Sequence, residues 1–215
     1  WMFLPQAADA NPIRQGIILG VVSFWGLRLT INWIRTWKGL HHEDWRYVKY
    51  RKEYPKFHWF IAFFGLEMMS TLIVYLGSLA MYPALVTSGK AINFLDIIGM
   101  IVAIGATLIE FIADEQLKVF CQMREKNSQV MDVGLWGLSR HPNYFGEIAF
   151  WWGLFFFALA ADLSWWWTIA GPIAMVLLFN FISIPLMEER QVKRRPEYEE
   201  YQEEVSRLIP WFSKN

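Results

Sequence analysis

Cysteine and charge are both scarce in this chain. Cys121 is the single cysteine among 215 residues, so no intrachain disulfide can form and no cysteine pair has metal-site spacing. Charged residues make up 19% of the sequence and hydrophobic residues 55%. Soluble domains usually carry roughly 25% charged residues. This balance excludes an ordinary soluble protein and indicates a membrane protein, and the length suits one domain over residues 1–215.

Several common nucleotide and metal motifs are also absent. The sequence has no Gly-x-Gly-x-x-Gly after a strand, no phosphate-loop Gly-Lys-Ser/Thr and no His-Glu-x-x-His. A bound nucleotide would therefore need a site other than a Rossmann domain. His41 and His42 are adjacent and cannot share one helical face, so we expect no metal site. The formal net charge of zero carries no information about nucleic acid, and we predict no such partner.

Five apolar runs are long enough, or nearly so, to cross a hydrocarbon layer of roughly 30 Å. They predict an all-α polytopic membrane helical bundle, and they make the lipid bilayer the first expected partner. The fourth run is short, because polar residues blur its start. The runs cover residues 13–34, 57–86, 94–120, 144–161 and 165–187.

Basic residues are concentrated in three segments that follow alternate runs. Seventeen of the 20 Lys and Arg residues lie within 35–56, 118–140 and 190–215, which share one side if all five runs cross. The positive-inside rule places that side, and the C-terminus, in the cytoplasm. We therefore expect a multi-pass protein of a bacterial inner membrane or of the endoplasmic reticulum. Together the three segments can form one anion-binding pocket.

A group of polar side chains stands at the beginning of the fourth run. Ionisable groups at a membrane edge are costly and are usually retained for binding or chemistry. An interfacial anchor would account for one or two of them. We interpret the segment 134–147 as a polar ligand site at the membrane boundary. Its polar members are Arg140, His141, Asn143, Tyr144 and Glu147.

A polar stripe lies near the cytoplasmic end of the third run. Glu110, Asp114 and Lys118 follow each other at intervals of four residues, which aligns them along one helical face. Such a stripe is expected to face a wet cavity or the bundle interior, not lipid. An internal Asp114–Lys118 ion pair and direct ligand contact are equally compatible with this spacing.

Basic side chains outside the runs are candidates for anion contacts. Arg190 and Arg194 are one helical turn apart, so both guanidinium groups can reach one phosphate. The same segment also fits a solvated amphipathic helix on anionic lipid. Arg46, in the first connection, is a candidate partner of a phosphate or a carboxylate. Within the runs Asn32 and Glu67 are isolated polar groups, of which Glu67 is the more costly to bury.

The stretch Ser139-Arg-His-Pro-Asn-Tyr-Phe-Gly-Glu147 resembles the signature of the steroid 5-alpha reductase C-terminal domain family. Asn32 and Glu43-Asp-Trp-Arg-Tyr47 also resemble that family's uncharacterised bacterial and protist branch. Nearly the whole chain takes part in the resemblance. The agreeing segments are Ala-Asp-x-Gln-Leu at 113–117, Pro-Leu-Met-Glu-Glu-Arg at 185–190, Arg-Pro-x-Tyr-x-x-Tyr at 195–201 and Leu-Ile-Pro-Trp-Phe at 208–212. The resemblance implies about seven spans in a full-length member, so we expect two further spans upstream of Trp1.

The resemblance implies an NADPH-dependent oxidoreductase that transfers a hydride to an activated carbon–carbon double bond of a steroid or lipid-like molecule. Catalytic candidates are Asn32, Glu67 and Tyr144, and Asn32 stands where steroid reductases carry the tyrosine that polarises the carbonyl. The resemblance implies no metal and leaves the oligomeric state open. The implied cofactor-binding residues are Arg46, Asp114, Lys118, Arg140, His141, Asn143, Tyr144, Glu147, Arg190 and Arg194.

Two other functions are compatible with the sequence. The core Arg140-His-Pro-x-Tyr144 and a Glu-Glu tail ending in Ile-Pro are shared with S-adenosylmethionine-dependent membrane methyltransferases. Asp114, Gln116 and the extra arginines of the tail speak against that reading, because a methyl donor without phosphates has less need of them. The third possibility is a non-catalytic lipid-binding membrane protein, which Asn32 in place of the tyrosine favours.

Overall fold

The computed structural model describes residues 10–87 and 89–212 of the chain. This part is helical and contains no strand, and five of its helices are long and apolar enough to cross a membrane. The expected all-α membrane bundle is confirmed. In chain order the helices are α1 Pro12–Thr36, α2 Trp45–Glu53, α3 His58–Ser78, α4 Phe94–Met123, α5 Pro142–Ala161, α6 Leu163–Arg194 and α7 Tyr198–Glu204.

Local sequence signals begin the long helices. The side chain of Asn11 accepts hydrogen bonds from the backbone nitrogens of Ile13 and Arg14 at 3.0 and 3.3 Å, and so caps α1. Asn93 and Asp96 form a reciprocal capping box at the start of α4. α5 begins at Pro142, whose missing N–H costs nothing at a first helical position.

Two predicted spans differ in extent from the helices. The apolar run at 57–86 divides, because α3 ends at Ser78 and Pro83–Thr87 forms a separate wide helical turn. Pro83 lacks the N–H that would donate to the carbonyl oxygen of Leu79, so an α-helical hydrogen-bond ladder cannot continue unbroken through this segment. The last run, predicted at 165–187, extends to Arg194, so the basic residues Arg190 and Arg194 belong to the same helix as the span.

α5 is the central helix of the bundle. In its most apolar window 61% of the residues are buried, compared with 11% in α1 and in α3. Phe150, Leu154 and Phe157 of α5 form the core together with Ile18 of α1 and Met175 of α6. The outer faces of α1 and α3 expose large apolar side chains, which a bilayer solvates.

Small residues allow α4 and α5 to approach closely. A Cβ atom placed on Gly153 would lie 2.9 Å from the Cβ of Ala103, and one on Gly99 would lie 2.9 Å from the Gly153 carbonyl oxygen. Small residues at a helix contact let the two backbones pack directly in a membrane. The close contact between α4 and α5 fixes how far along the bundle axis the polar residues Glu110 and Asp114 of α4 lie from Asn143 and Glu147 of α5.

The polar groups gather at the two ends of the bundle. Arg14 and Asp96, both fully buried, join the beginnings of α1 and α4 through a 2.7 Å contact between Nε and Oδ1. At the other end Lys49 Nζ of α2 lies 2.7 Å from Glu189 Oε2, and Arg195 Nε donates to the Asn127 carbonyl oxygen at 3.0 Å. The three basic segments of the sequence therefore meet at one end.

Candidate ligand-binding site

A short turn holds the polar segment against α4. Gly134 adopts a φ of 65°, a left-handed conformation that favours glycine, and opens the turn Gly134–Gly137. The indole of Trp136 then donates to the Ala113 carbonyl oxygen at 3.0 Å. Gln116 accepts from the Leu135 nitrogen at 3.0 Å. These contacts with one face of α4 set the position at which α5 begins.

Arg140 and His141 contact the end of α6 and the C-terminal segment. Arg140 Nε donates to Glu188 Oε1 at 2.8 Å, and the same oxygen lies 3.1 Å from His141 Nε2. Arg140 Nη1 donates to the carbonyl oxygens of Gln202 and Val205. Two of the three guanidinium nitrogens of Arg140 thus bind protein groups. This predicted ligand residue therefore also holds the start of α5 to the end of α6 and to the C-terminal segment.

Burial disfavours the charged form of the His141 imidazole. His141 is 4% exposed, and burial lowers its pKa below the usual range, although the hydrogen bond that it makes to the Glu188 carboxylate opposes this shift. Its ring stacks on Tyr144, with centroids 5.2 Å apart and an interplanar angle of 6°. Phe179 also packs against Tyr144, at a centroid distance of 4.6 Å. The Tyr144 ring is thus held by two aromatic neighbours.

Two neighbouring cavities share Tyr144 and Met187 in their walls. The smaller, of about 130 Å³, is polar in part and includes Asn143 and Arg195. The larger, of about 370 Å³, lies between α2, α3 and α6 and includes Arg46. Among the described residues no hydrogen-bond partner reaches the Tyr144 hydroxyl. The site can therefore take a ligand whose ends differ in polarity, with Tyr144 between them.

A second group of polar side chains joins α1, α4 and α5 beside these cavities. Arg28 Nη1 lies 3.0 Å from Asp114 Oδ2, and the same guanidinium contacts Glu110. Asn32 Nδ2 donates to Asp114 Oδ2 at 2.9 Å, and Asn143 Nδ2 lies 3.5 Å from Asp114 Oδ1. Asp114 is therefore paired with Arg28 and not with Lys118, so the intrahelical ion pair considered from the sequence does not form.

Glu147 faces the same group from α5. Its carboxylate accepts hydrogen bonds from the indole nitrogens of Trp151 at 2.9 Å and Trp25 at 3.2 Å. Arg28 Nη2 lies 4.0 Å from Glu147 Oε2. Glu147 thus belongs to the carboxyl group around Arg28, one helical turn from Asn143, and not to the lining of the two cavities described above.

Of the basic candidates Arg46, Lys118, Arg190 and Arg194, only Arg46 is among the residues that line the two cavities. The guanidinium carbon of Arg190 lies 4.3 Å from the ring centroid of Trp45, in a cation–π contact. Arg194 is exposed, and Lys118 is partly buried one turn beyond Asp114. Arg46 binds Asp44 through Nε and Oδ1 at 3.0 Å. Burial on its own raises the pKa of Asp44, but the hydrogen bonds and charge of Arg46 outweigh it and lower that pKa.

Glu67 lies away from this group. Its carboxylate accepts a hydrogen bond from the hydroxyl of Tyr47, which joins α3 to α2. That hydrogen bond is the main reason why the pKa of Tyr47 is raised. Glu67 is exposed on the outer face of α3. It therefore does not share the cavities lined by Tyr144.

The sequence reasoning missed three members of the site. Arg28 lies deep within the first apolar run, and the position of a basic residue inside a span is itself a signal of a functional or paired group. Trp25 precedes it by one turn and Asn32 follows by one turn, so the three share a face. The third omission, Glu188, lies within the segment 185–190. Its contacts with Arg140 and His141 join residues that are far apart in the sequence, so spacing alone does not predict them.

Comparison with known proteins gives one family and one relative. The model of the family described as "Protein of unknown function (DUF1295)" matches residues 1–205. A Schizosaccharomyces pombe protein, described as uncharacterized, is 26% identical over 245 aligned residues, which cover 98% of this chain and 70% of the relative. No solved structure gives a significant match.

Proposed function

The chain belongs to the DUF1295 family, and we propose that it is an NADPH-dependent membrane reductase acting on an activated carbon–carbon double bond of a steroid or other lipid-like substrate. One observation carries the proposal. Tyr144 forms a wall common to a cavity with Asn143 and Arg195 and a cavity with Arg46, at the end of the bundle where the basic segments meet. The likeness of residues 139–147 to the steroid 5-alpha reductase signature supports the same function.

The cationic groups at this end suit a phosphorylated cofactor. Burial lowers the pKa of Arg195, and the charges of Arg124 and Arg194 lower it further. Guanidinium groups that crowd one another in this way are stabilised by a bound anion. Guanidinium also matches phosphate geometry through paired hydrogen bonds. The side chains present therefore fit the pyrophosphate and 2′-phosphate of NADPH.

The proposal assigns parts of the cofactor to parts of the site. Arg46, Arg190, Arg194 and Arg195 would hold the phosphates, and Asn143 would meet the nicotinamide end. When bound, NADPH supplies a hydride to the activated double bond. The chain itself contributes orientation, charge stabilisation and exclusion of water.

Tyr144 is the best placed of the three catalytic candidates. The Asn32 amide donates to Asp114, and the Glu67 carboxylate accepts from Tyr47, so each already has a protein partner. Tyr144 lines both cavities, and its ring is held by His141 and Phe179. In the proposed reaction it donates a hydrogen bond to the substrate carbonyl oxygen, where negative charge develops.

A groove on the outer face of the bundle supports a lipid-like substrate. It lies between α1 and α4 and has a volume of about 480 Å³. Its walls are mainly apolar, with Leu27 and Phe111 exposed, and its polar residues are Arg28, Asn32, Arg35, Asp114 and Glu115. A predominantly apolar cleft with a few convergent polar groups is the usual form of a small-molecule site.

The excess of carboxyl groups favours a second candidate function. Three carboxyl groups, Glu110, Asp114 and Glu147, surround the single guanidinium of Arg28. A net negative environment attracts a cation such as the sulfonium of S-adenosylmethionine. Membrane methyl transfer is therefore the alternative that a binding experiment has to separate from reduction.

The test is a titration of the purified full chain with NADPH and with S-adenosylmethionine. We expect NADPH to bind, and we expect Arg46→Ala to weaken it about tenfold or more, because a charge-assisted hydrogen bond is worth roughly 1.5–3 kcal/mol. Asn143→Ala and Arg194→Ala should also weaken it. Arg51→Ala is the matched control, because Arg51 lies on the same helix as Arg46 but pairs with Glu43 at the surface.

Each other outcome assigns a different function. Selective binding of S-adenosylmethionine would replace the reductase by a methyltransferase. Binding of neither ligand would favour a non-catalytic lipid-binding protein. Equal losses of NADPH affinity in Arg46→Ala and Arg51→Ala would remove Arg46 from the site and leave only a general charge effect.

A further inference from the structure

The three carboxyl groups around Arg28 are not equivalent in burial. The side chain of Glu110 is 3% exposed, whereas those of Asp114 and Glu147 are 18% and 20% exposed. A Cβ atom placed on Gly146 would lie 2.5 Å from Glu110 Cγ, so the Glu110 side chain lies directly against the backbone of α5. Glu110 is consequently the carboxyl group with the least access to water.

The carboxyl groups also differ in the number of donors that reach them. Asp114 accepts from Arg28, from Asn32 and, at 3.5 Å, from Asn143. Glu147 accepts from the two indoles of Trp25 and Trp151. Glu110 accepts from Arg28 through Oε2 alone, and its Oε1 is buried with no hydrogen-bond donor. A buried carboxylate oxygen without a donor is costly.

The balance of formal charge around Arg28 also disfavours the ionisation of all three carboxyl groups. The charged groups that face Glu110 are Arg28 from α1, Asp114 from its own helix and Glu147 from α5. If all three carboxyl groups are ionised, two negative charges stay uncompensated in a site closed by three helices. Arg28 Nη2 contacts Glu110 Oε2 and lies 4.0 Å from Glu147 Oε2, so the two carboxyl groups meet around one guanidinium nitrogen, and two ionised groups in this position repel each other.

We propose that Glu110 and Glu147 share one proton, with Glu110 Oε1 donating it to the Glu147 carboxylate. One proton satisfies the orphan oxygen of Glu110 and turns a repulsive contact into a hydrogen bond. It also reduces the uncompensated charge around Arg28 from two to one. The proton-binding site is therefore built by Glu110, Glu147 and Arg28, one from each of α4, α5 and α1.

The shared proton lies close to the groove in which we place the substrate. Arg28 connects Glu110 to Asp114, which borders the α1–α4 groove and lies beside Asn143. Adding hydrogen across a double bond consumes one hydride and one proton. The role of the Glu110–Glu147 pair as the local source of that proton rests on the proposed reductase function, whereas the presence of the proton does not.

Infrared spectroscopy of the full chain, without any added ligand, tests the site. We expect the C=O stretching band of a neutral carboxylic acid at neutral pH, with a shift in heavy water. Glu110→Gln should remove the band, and Glu147→Gln should shift it, because the acceptor of the proton changes. Glu115→Gln is the matched control: Glu115 lies on the same helix but pairs with Arg35 at the bundle surface, so its substitution should leave the band unchanged.

Two results would overturn the proposal. The first is the absence of a neutral-acid band from the wild-type protein at neutral pH, which decides the matter even if a variant fails to fold. The second is a band that persists unchanged in folded Glu110→Gln. Because no cofactor is present, either result leaves the NADPH proposal intact, and a failure to bind NADPH leaves the shared proton intact.

Discussion

The guanidinium of Arg28 and the carboxylate of Asp114 connect α1 to α4 at a distance of 3.0 Å, across 86 residues of sequence. Arg28 is nine-tenths buried, and Asp114 also receives the amide of Asn32. The first span carries no part of the signature motif, but this contact makes it part of the site. The contribution of Arg28 to the stability of the bundle can be measured.

Replacing Arg28 should destabilise the bundle. Arg28→Leu leaves the surrounding carboxyl groups without their cation, and removing one member of a buried ion pair typically costs about 3–5 kcal/mol. We expect about 3 kcal/mol, because Asp114 and Glu147 retain some contact with solvent. The measurement is thermal or denaturant unfolding in detergent. Arg35→Leu, which breaks the exposed pair with Glu115, should change the midpoint much less; equal effects would refute the prediction.

Stability should fall below neutral pH because of His141. Burial lowers the pKa of the folded-state imidazole, so between about 6.5 and that lower value the unfolded chain binds more protons. The contribution of neutral His141 is thus complete above about pH 6.5 and is lost as the pH falls through this window. Unfolding midpoints across pH should therefore decline less steeply in His141→Gln than in the wild type. The exposed loop variant His42→Gln should follow the wild type, and identical profiles for all three would contradict the assignment.

Gly146→Ala should disturb the contact between α4 and α5. The new Cβ would lie 2.5 Å from Glu110 Cγ and 2.8 Å from the Ala106 carbonyl oxygen, and the backbone oxygen cannot move aside cheaply. Overpacking of this kind costs about 1–3 kcal/mol. Gly105→Ala is the control, since no atom lies within 4 Å of its added Cβ. We expect a higher unfolding temperature for Gly105→Ala, because alanine favours a helix, and a lower one for Gly146→Ala.

Tyr144→Phe should separate chemistry from binding. The phenylalanine ring keeps the packing with His141 and Phe179, so folding and NADPH affinity should stay within about twofold of the wild type. Loss of the hydroxyl should lower turnover by about tenfold or more if it stabilises the developing oxyanion. Single-turnover oxidation of bound NADPH with an enone lipid measures this. An unchanged rate in a folded variant would remove Tyr144 from the reaction.

The spans were predictable because a bilayer imposes a local rule on the sequence. The third run, predicted at 94–120, is the helix Phe94–Met123, since continuous apolarity over about 20 residues requires a helix whatever its neighbours are. The apolar run at 57–86 predicts one span, whereas the helix ends at Ser78 and Pro83 begins a separate turn. Hydropathy averages over a window and therefore does not register a single missing N–H.

The site was less predictable, because its partners come from different helices. The spacing of Asp114 and Lys118 suggested a pair within α4, yet Asp114 binds Arg28 of α1. The motif predicts that Arg140 meets a ligand, and it gives no sign of the protein contacts that Arg140 makes with Glu188 and with the carbonyl oxygens of Gln202 and Val205. Sequence spacing predicts which residues are neighbours on one helix. Which other helix supplies the partner of a polar side chain depends on how the helices cross, and no single segment encodes that geometry.

The buried pair of Arg14 and Asp96 has a consequence for how the protein is made. The two residues are separated by 82 positions, so the ribosome delivers the cation well before its anion. Each charge alone opposes partition into hydrocarbon. Insertion of the start of the first span is therefore unfavourable until the third span supplies Asp96. Mutation of Asp96 should accordingly trap a partly inserted chain during biogenesis.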